Sequence, residues 1–235
     1  MDSTLWILAG TAVFIAFLHT VMGPDHYLPF IVLGKANRWS TRKVALISML
    51  CGLGHVLSSV VLGTIGIMAG MAIRNLAYFE SFRGEIASFL LIGFGVAYAT
   101  WGIRKAIKNR PYRHSHRHPN GADYSHRHGH REDHSHAHPR EKPTTFWAIF
   151  IIFVLGPCEP LIPLLMLPAV THGWTGILII TGLFGMVTIG TMVVMAVLGT
   201  QGIKLVTANW MERYAHALAG GAIAMSGIMI RAFGL

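Results

Sequence analysis

"HTVMGPDHYLPF", residues 19–30, governs how the rest of the chain is read. It closes an apolar run that begins at residue 4, yet it carries two histidines, an aspartate and a Gly-Pro pair. A proline removes a backbone donor and breaks a helix. Ionisable side chains at membrane depth are costly and default to a functional role. A straight helix over residues 3–37 would be roughly 50 Å long, more than a bilayer needs. The stretch therefore predicts a spanning helix broken at Gly23-Pro24, with Asp25 and His26 at the break. Freed backbone groups at such a break can line a cavity or coordinate an ion.

The composition supports a membrane setting. Of 235 residues, 53% are hydrophobic and 12% charged, about half the charged fraction of a soluble domain. Mean hydropathy is +0.51. Apolar runs at 4–22, 44–73, 86–103, 144–170, 174–203 and 214–230 fit six spans of about 20 residues. The first run lacks a basic n-region and an A-x-A site, so it reads as a span rather than a cleaved leader. The expected class is an all-α integral membrane protein with little chain left for a soluble domain.

The net charge of +9 does not point to nucleic acid, because of where the charge sits. Lys35, Arg38, Arg42 and Lys43 follow the first span, and Arg104, Lys105, Lys108, Arg110 and Arg113 follow the third. Arg140 and Lys142 precede the fourth, and Lys204 follows the fifth. The positive-inside rule puts these loops in the cytoplasm and both termini outside, in the cytoplasmic (inner) membrane. Arg213 and Arg231 fit this orientation less well. Two cysteines, Cys51 and Cys158, make neither a disulfide framework nor a C-x-x-C motif.

The halves resemble each other. Gly23-Pro24-Asp25-His26 in the first span matches Gly156-Pro157-Cys158-Glu159 in the fourth, and each is followed by a proline, Pro29 or Pro163. The second and fifth spans end in Leu62-Gly-Thr-Ile-Gly66 and Leu198-Gly-Thr-Gln-Gly202. The third and sixth carry Gly95/Gly102-Ile103 and Gly220/Gly227-Ile228. Small residues are common in membrane helices, but the shared order of three motifs predicts two repeats, 1–107 and 144–235, joined by 108–143. Three spans per repeat makes them inverted, an architecture that places a site at the repeat interface near the midplane.

Candidate ligands follow from that interface. His19 and His26 lie seven apart, and His55 sits mid-span in "CGLGHVLSSV". Imidazole suits nickel, copper, zinc and iron, and a carboxylate adds a hard oxygen and a negative charge. His19, Asp25, His26 and His55 thus form a candidate site for a divalent cation. At the matching break, Glu159 must be protonated, paired or facing water, as a ligand, a proton-coupling group or a partner for a basic side chain. Cys158 is either a soft ligand or a small packing residue. Cys51 reads as packing, His216 as hydrogen-bonded to a neighbouring helix, and His172 as solvated in a short outer loop.

"HSHRHPNGADYSHRHGHREDHSHAHP", residues 114–139, holds nine of the fourteen histidines: His114, His116, His118, His126, His128, His130, His134, His136 and His138. It reads as a disordered, low-complexity cytoplasmic loop suited to loose, multi-site binding of transition metals.

Two family resemblances bear on these residues. "HTVMGPDH" resembles the H-x4-D-H signature of the nickel/cobalt transporter superfamily with one extra residue in the gap. The resulting H-x5-D-H is similar to its UreH-like branch, associated with urease accessory functions. "GLGHVLSSVV" resembles that superfamily's second signature, and a His-rich cytoplasmic loop is also seen in its efflux branch. The resemblance implies that His19, Asp25, His26 and His55 select and pass the metal. Its substrate would be Ni2+ or Co2+ foremost, with Zn2+ or copper as alternatives. The implied role is transport rather than catalysis, with a metallochaperone or a metalloenzyme maturation factor as an expected partner. "GPCEPLIPLLMLPA" resembles the cysteine segment of the thiol–disulfide electron carriers of cytochrome c biogenesis. The repeat partner of Cys158 is Asp25, however, so the redox pair of that family is missing. The alternatives are such an electron carrier, or an accessory protein that delivers metal without transporting it.

Overall fold

The computed structural model describes residues 3–71, 73–108, 112–117, 123–128, 144–158, 160–205 and 209–233. The chain runs α1 (Ser3–Met22), a single 3-10 turn (Pro24–His26), α2 (Leu28–Ala36), α3 (Thr41–Met68) and α4 (Ile73–Lys108). Two strands follow, β1 (Tyr112–Arg117) and β2 (Asp123–His128). The second half contains α5 (Thr144–Leu155), α6 (Leu161–Thr171), α7 (Gly173–Leu205), the short α8 (Asn209–Arg213) and α9 (Ala215–Phe233).

Among the described residues, five helices, Ser3–Met22, Thr41–Met68, Arg74–Lys108, Gly173–Ile203 and Ala215–Ala232, are long and apolar enough to cross a membrane. The fourth expected span, 144–170, is delivered as two short apolar helices, α5 and α6, of 12 and 11 residues. Both Gly-Pro sequences interrupt their helices. The third span differs from the expected 86–103: α4 starts thirteen residues earlier, at Ile73, and takes in Glu80, Arg83 and Glu85. Those charges broke the apolar run in the sequence but not the helix, because two of them are paired inside the bundle.

The first helix buries mostly small residues and leaves large ones outside. α1 buries Leu5, Ala9, Ala12, Ala16 and Thr20 along one face. That face packs on α7, in a cluster with Ile177, Ile180 and Phe184. Trp6, Ile7, Phe14 and Phe17 of the same helix are exposed. Apolar side chains turned outward suit a lipid surround, and small ones inward let backbones approach. A second core gathers Phe30 and Leu33 of α2, Val44 and Cys51 of α3, Met192 of α7 and Ile223 of α9.

Glycines bring the backbones of α4 and α9 into close approach. A Cβ added at Gly95 would lie 2.7 Å from the carbonyl oxygen of Gly220, and one at Gly220 would lie 2.5 Å from that of Gly95. Gly95 also abuts Ala224, while Gly220 abuts Ala99. Gly102 meets Ala217, while Gly227 meets Ile92. Each contact has its counterpart with the two helices exchanged. The LGTxG segments behave alike: Gly63 of α3 faces Leu165 of α6, and Gly199 of α7 faces Ile31 of α2.

Two described pieces of the His-rich connection, residues 112–117 and 123–128, form strands where disorder is expected. β1 and β2 pair antiparallel, with Tyr112 opposite His128, His114 opposite His126 and Arg117 opposite Asp123. Alternating sequence such as Tyr-Arg-His-Ser-His-Arg has the period of a strand. His118, His130, His134, His136 and His138 lie outside the described residues.

Candidate metal centre

The first break is closed by a tight set of main-chain bonds. Gly23 N donates to His19 O at 3.0 Å, His26 N to Gly23 O at 3.1 Å, and Tyr27 N to Pro24 O at 3.3 Å. The Tyr27 hydroxyl donates to Val21 O at 3.1 Å, satisfying a carbonyl that the end of α1 leaves free. Residue 23 has to be glycine, since a Cβ there would stand 2.5 Å from His26 Nδ1 and 2.9 Å from Asp25 Oδ1. The turn swings His26 back beneath the last turn of α1, where His19 sits. The two ring centroids are 4.7 Å apart, edge to face.

His55, halfway along α3, completes the group, its ring 5.1 Å from that of His26. One donor atom from each of the three histidines lies within 4.8 Å of the others. His26 and His55 are buried. The Nε2 atoms of all three are buried without a hydrogen-bond partner. An unsatisfied buried polar atom costs roughly 1–3 kcal/mol. Three such orphaned nitrogens, on rings gathered into one group, are not explained by packing.

The opposite ring edges fix which nitrogen carries the proton. His26 Nδ1 faces two acceptors, Gly23 O and Asp25 Oδ1, both at 3.2 Å. His55 Nδ1 faces Phe153 O at 3.3 Å. Nδ1 therefore donates in both rings, and Nε2 is left with its lone pair for a metal. A carboxylate or carbonyl on the far nitrogen is how metal-binding histidines are commonly oriented. Asp25 thus engages the outer edge of His26, not the shared Nε2 cluster.

A cavity of about 350 Å³ opens beside the cluster. Its walls include Ile15 and Met22 of α1, Gly84 and Ser88 of α4, Pro157 at the second break and Ile230 of α9.

The second break lies against α4, which approaches closely at Gly84: a Cβ there would be 2.9 Å from Pro157. Glu80 and Arg83 span it. Arg83 Nη1 pairs with Glu80 Oε1 at 2.6 Å, and Arg83 Nη2 donates to Val154 O at 2.8 Å and Gly156 O at 3.3 Å. Glu80 Oε2 accepts from Cys158 N at 3.2 Å and from Ser59 Oγ at 3.3 Å. The cation thus meets the carbonyl end of α5 and the anion meets the amide that leads into α6, as helix dipoles favour. Sequence reading missed this pair. Its signal was Glu-x-x-Arg, one helical turn apart, in a chain otherwise poor in charge.

The remaining candidates fall as follows. Cys158 is buried with Leu161, Leu164 and Ile177, apart from the histidines. Cys51 is buried in the other core, and neither cysteine forms a disulfide. Glu159 lies outside the described residues. His216 bonds neighbouring side chains, Nδ1 with the Tyr98 hydroxyl at 2.9 Å and Nε2 with Lys105 Nζ at 3.0 Å. His172 follows the end of α6, where its ring meets the Thr171 hydroxyl at 2.6 Å. His114 stands opposite His126 in the hairpin, His116 opposite Tyr124 and His128 opposite Tyr112.

Comparison with protein-family models, with curated proteins and with solved structures finds no match to this chain.

Proposed function

We propose that this protein is a membrane transporter of divalent transition-metal cations, with Ni2+ or Co2+ as the foremost substrate. The observation that carries this reading is the convergence of three buried, unpartnered imidazole nitrogens at a helix break, beside a cavity. Three nitrogens suit late first-row divalent ions rather than magnesium or calcium, which take oxygen ligands. Asp25 supplies negative charge one step removed, offsetting part of the cost of a dehydrated dication. Two metal–nitrogen bonds of about 2.1 Å span at most about 4.2 Å. The donors, spread over as much as 4.8 Å, must therefore draw together by a fraction of an ångström or more around an ion. A flexible break is suited to that movement.

Alternating access in this reading comes from two inverted three-helix repeats, residues 1–107 and 144–235, rocking about the site. The exchanged contacts of Gly95 with Ala224 and Gly220 with Ala99 support a two-fold relation between them. The basic loops, and with them the His-rich connection, lie on the cytoplasmic side of the inner membrane. There the connection buffers metal or passes it to a metallochaperone.

The test is uptake of radioactive nickel and cobalt into proteoliposomes of purified protein. Wild-type protein accumulates metal; His26→Ala and Asp25→Ala variants with unchanged size-exclusion profiles do not. Undiminished uptake by a His26→Ala, Asp25→Ala double variant would sink the proposal. Binding without uptake by the wild type would favour an accessory protein that hands metal on.

A further inference from the structure

We propose that Arg83, with Glu80 as its counter-ion, is a positioning residue that sets the orientation and tautomer of His55 from outside the metal centre. The inference rests on the reading of the three histidines as a metal site and assigns that site its outer support.

Two chains of contacts lead from Arg83 to His55. One passes through the side chain of Ser58. Arg83 Nη2 donates to Ser58 Oγ at 2.7 Å, and Ser58 Oγ donates to His55 O at 2.8 Å. This route fixes the backbone of α3 at the ligand. The other passes through the end of α5. The guanidinium holds Val154 O and Gly156 O, the carbonyls flanking the last residue of that helix. Phe153 O, one residue before Val154, accepts from His55 Nδ1 at 3.3 Å. Gly156 stands close to the same nitrogen: a Cβ there would be 3.2 Å from His55 Nδ1.

The chemistry requires such a support. α5 ends at Leu155, where helical pairing stops, and Gly156 N closes the end by donating to Ile152 O at 2.9 Å and Phe153 O at 3.1 Å. Arg83 takes Val154 O and, just past the helix, Gly156 O, and so braces the turn in which Phe153 O also faces His55. His55 Nδ1 must then carry the proton, and Nε2 is the only nitrogen available to a cation. Arginine suits this task because its planar fork reaches several acceptors at once, which a lysine ammonium cannot do in the same geometry. Glu80, fully buried, balances the charge and holds the far side of the break through Cys158 N.

The experiment uses the full chain in detergent, with Co2+ as the probe. Variants are Arg83→Lys and the double variant Glu80→Gln, Arg83→Gln, in which neither charge is left buried alone. Two readouts are taken. Visible absorption of bound Co2+ reports affinity and ligand geometry. Nitrogen-15 shifts of the imidazoles in metal-free protein, with His55 assigned by its loss in His55→Gln, report the tautomer. Both variants are expected to bind Co2+ about 10–100-fold more weakly, with an altered absorption band. Their His55 signals are expected to leave the single Nδ1–H form. A variant that melts earlier but keeps the wild-type band, affinity and tautomer shows that the pair merely braces the fold, and overturns the proposal. Absence of Co2+ binding by the wild type removes the metal reading instead. The nitrogen shifts then still decide, without metal, whether Arg83 sets the His55 tautomer. Should Arg83→Lys fail to fold, the double variant carries the same two readouts.

Discussion

Substituting Gly220 with alanine tests the contact that joins the two halves. The new Cβ would lie 2.5 Å from Gly95 O, against an ordinary contact of at least 3.4 Å. The shortfall is at least about 0.9 Å, with Ala99 N nearer still, and the obstacle is backbone, so no side-chain rotation relieves it. α4 and α9 must move apart by about that distance. Overpacking of this kind costs about 1–3 kcal/mol, which for a chain of this size lowers the melting temperature by about 2–4 °C per kcal/mol. Gly95→Ala meets the reciprocal obstacle, 2.7 Å from Gly220 O, and should cost about as much. One separation serves both substitutions, so the double variant should lose less stability than the two singles summed, a coupling of about 0.5–3 kcal/mol. Gly221, the next residue on α9, is the control, because nothing lies within 4 Å of a Cβ built there. Thermal unfolding in detergent, followed by circular dichroism, compares all four variants with the wild type. Wild-type melting for Gly220→Ala, or strict additivity in the double variant, would refute the close backbone approach.

Three further outcomes are expected. Gly156→Ala, whose Cβ would lie 3.2 Å from both His55 Nδ1 and Phe153 O, should wedge apart that hydrogen bond and weaken Co2+ binding several-fold while the protein remains folded; unchanged cobalt titrations would count against the role of the second break. Cys51 and Cys158 sit in separate cores, so an oxidant should trap no bond between them and Cys51→Ser should still transport; a cross-link that forms and breaks during turnover would restore the electron-carrier reading. Deleting residues 114–139 should leave uptake in place but remove several weak Ni2+ sites, as measured by equilibrium dialysis against the intact chain. Imidazoles with an ordinary pKa of about 6.5 bind metal when neutral, so the occupancy of those sites should fall as pH drops from about 7.5 to 5; pH-independent binding would mean that other groups hold the metal.

Much of the site could be read in the sequence because it rests on local signals. Hydropathy marks where chain can cross a bilayer, and Gly23-Pro24 and Gly156-Pro157 break helices wherever they occur, since a proline lacks a donor. The singular polar residues of apolar segments, His19, Asp25, His26 and His55, stood out for the same reason. The repeat motifs were visible as order, and the structure gives their glycines a use in backbone contact. Pairing between β1 and β2 escaped the composition, because a compositional bias reports the absence of an apolar core and not the register of alternating residues.

Tertiary structure alone decided how those residues divide their work. Asp25 and His26 are neighbours in sequence, but only the fold turns the carboxylate to the Nδ1 edge of the ring and gathers His19, His26 and His55 into one group. No spacing rule links Arg83 to Val154 and Gly156, some seventy residues away. In a hydropathy profile the two charges simply appear to shorten a span. Inside the bundle, Glu80 and Arg83 neutralise each other and satisfy the backbone ends exposed by a broken helix. A buried charge is tolerable only when its partners are in place, and those partners come from helices that meet only after the chain has folded.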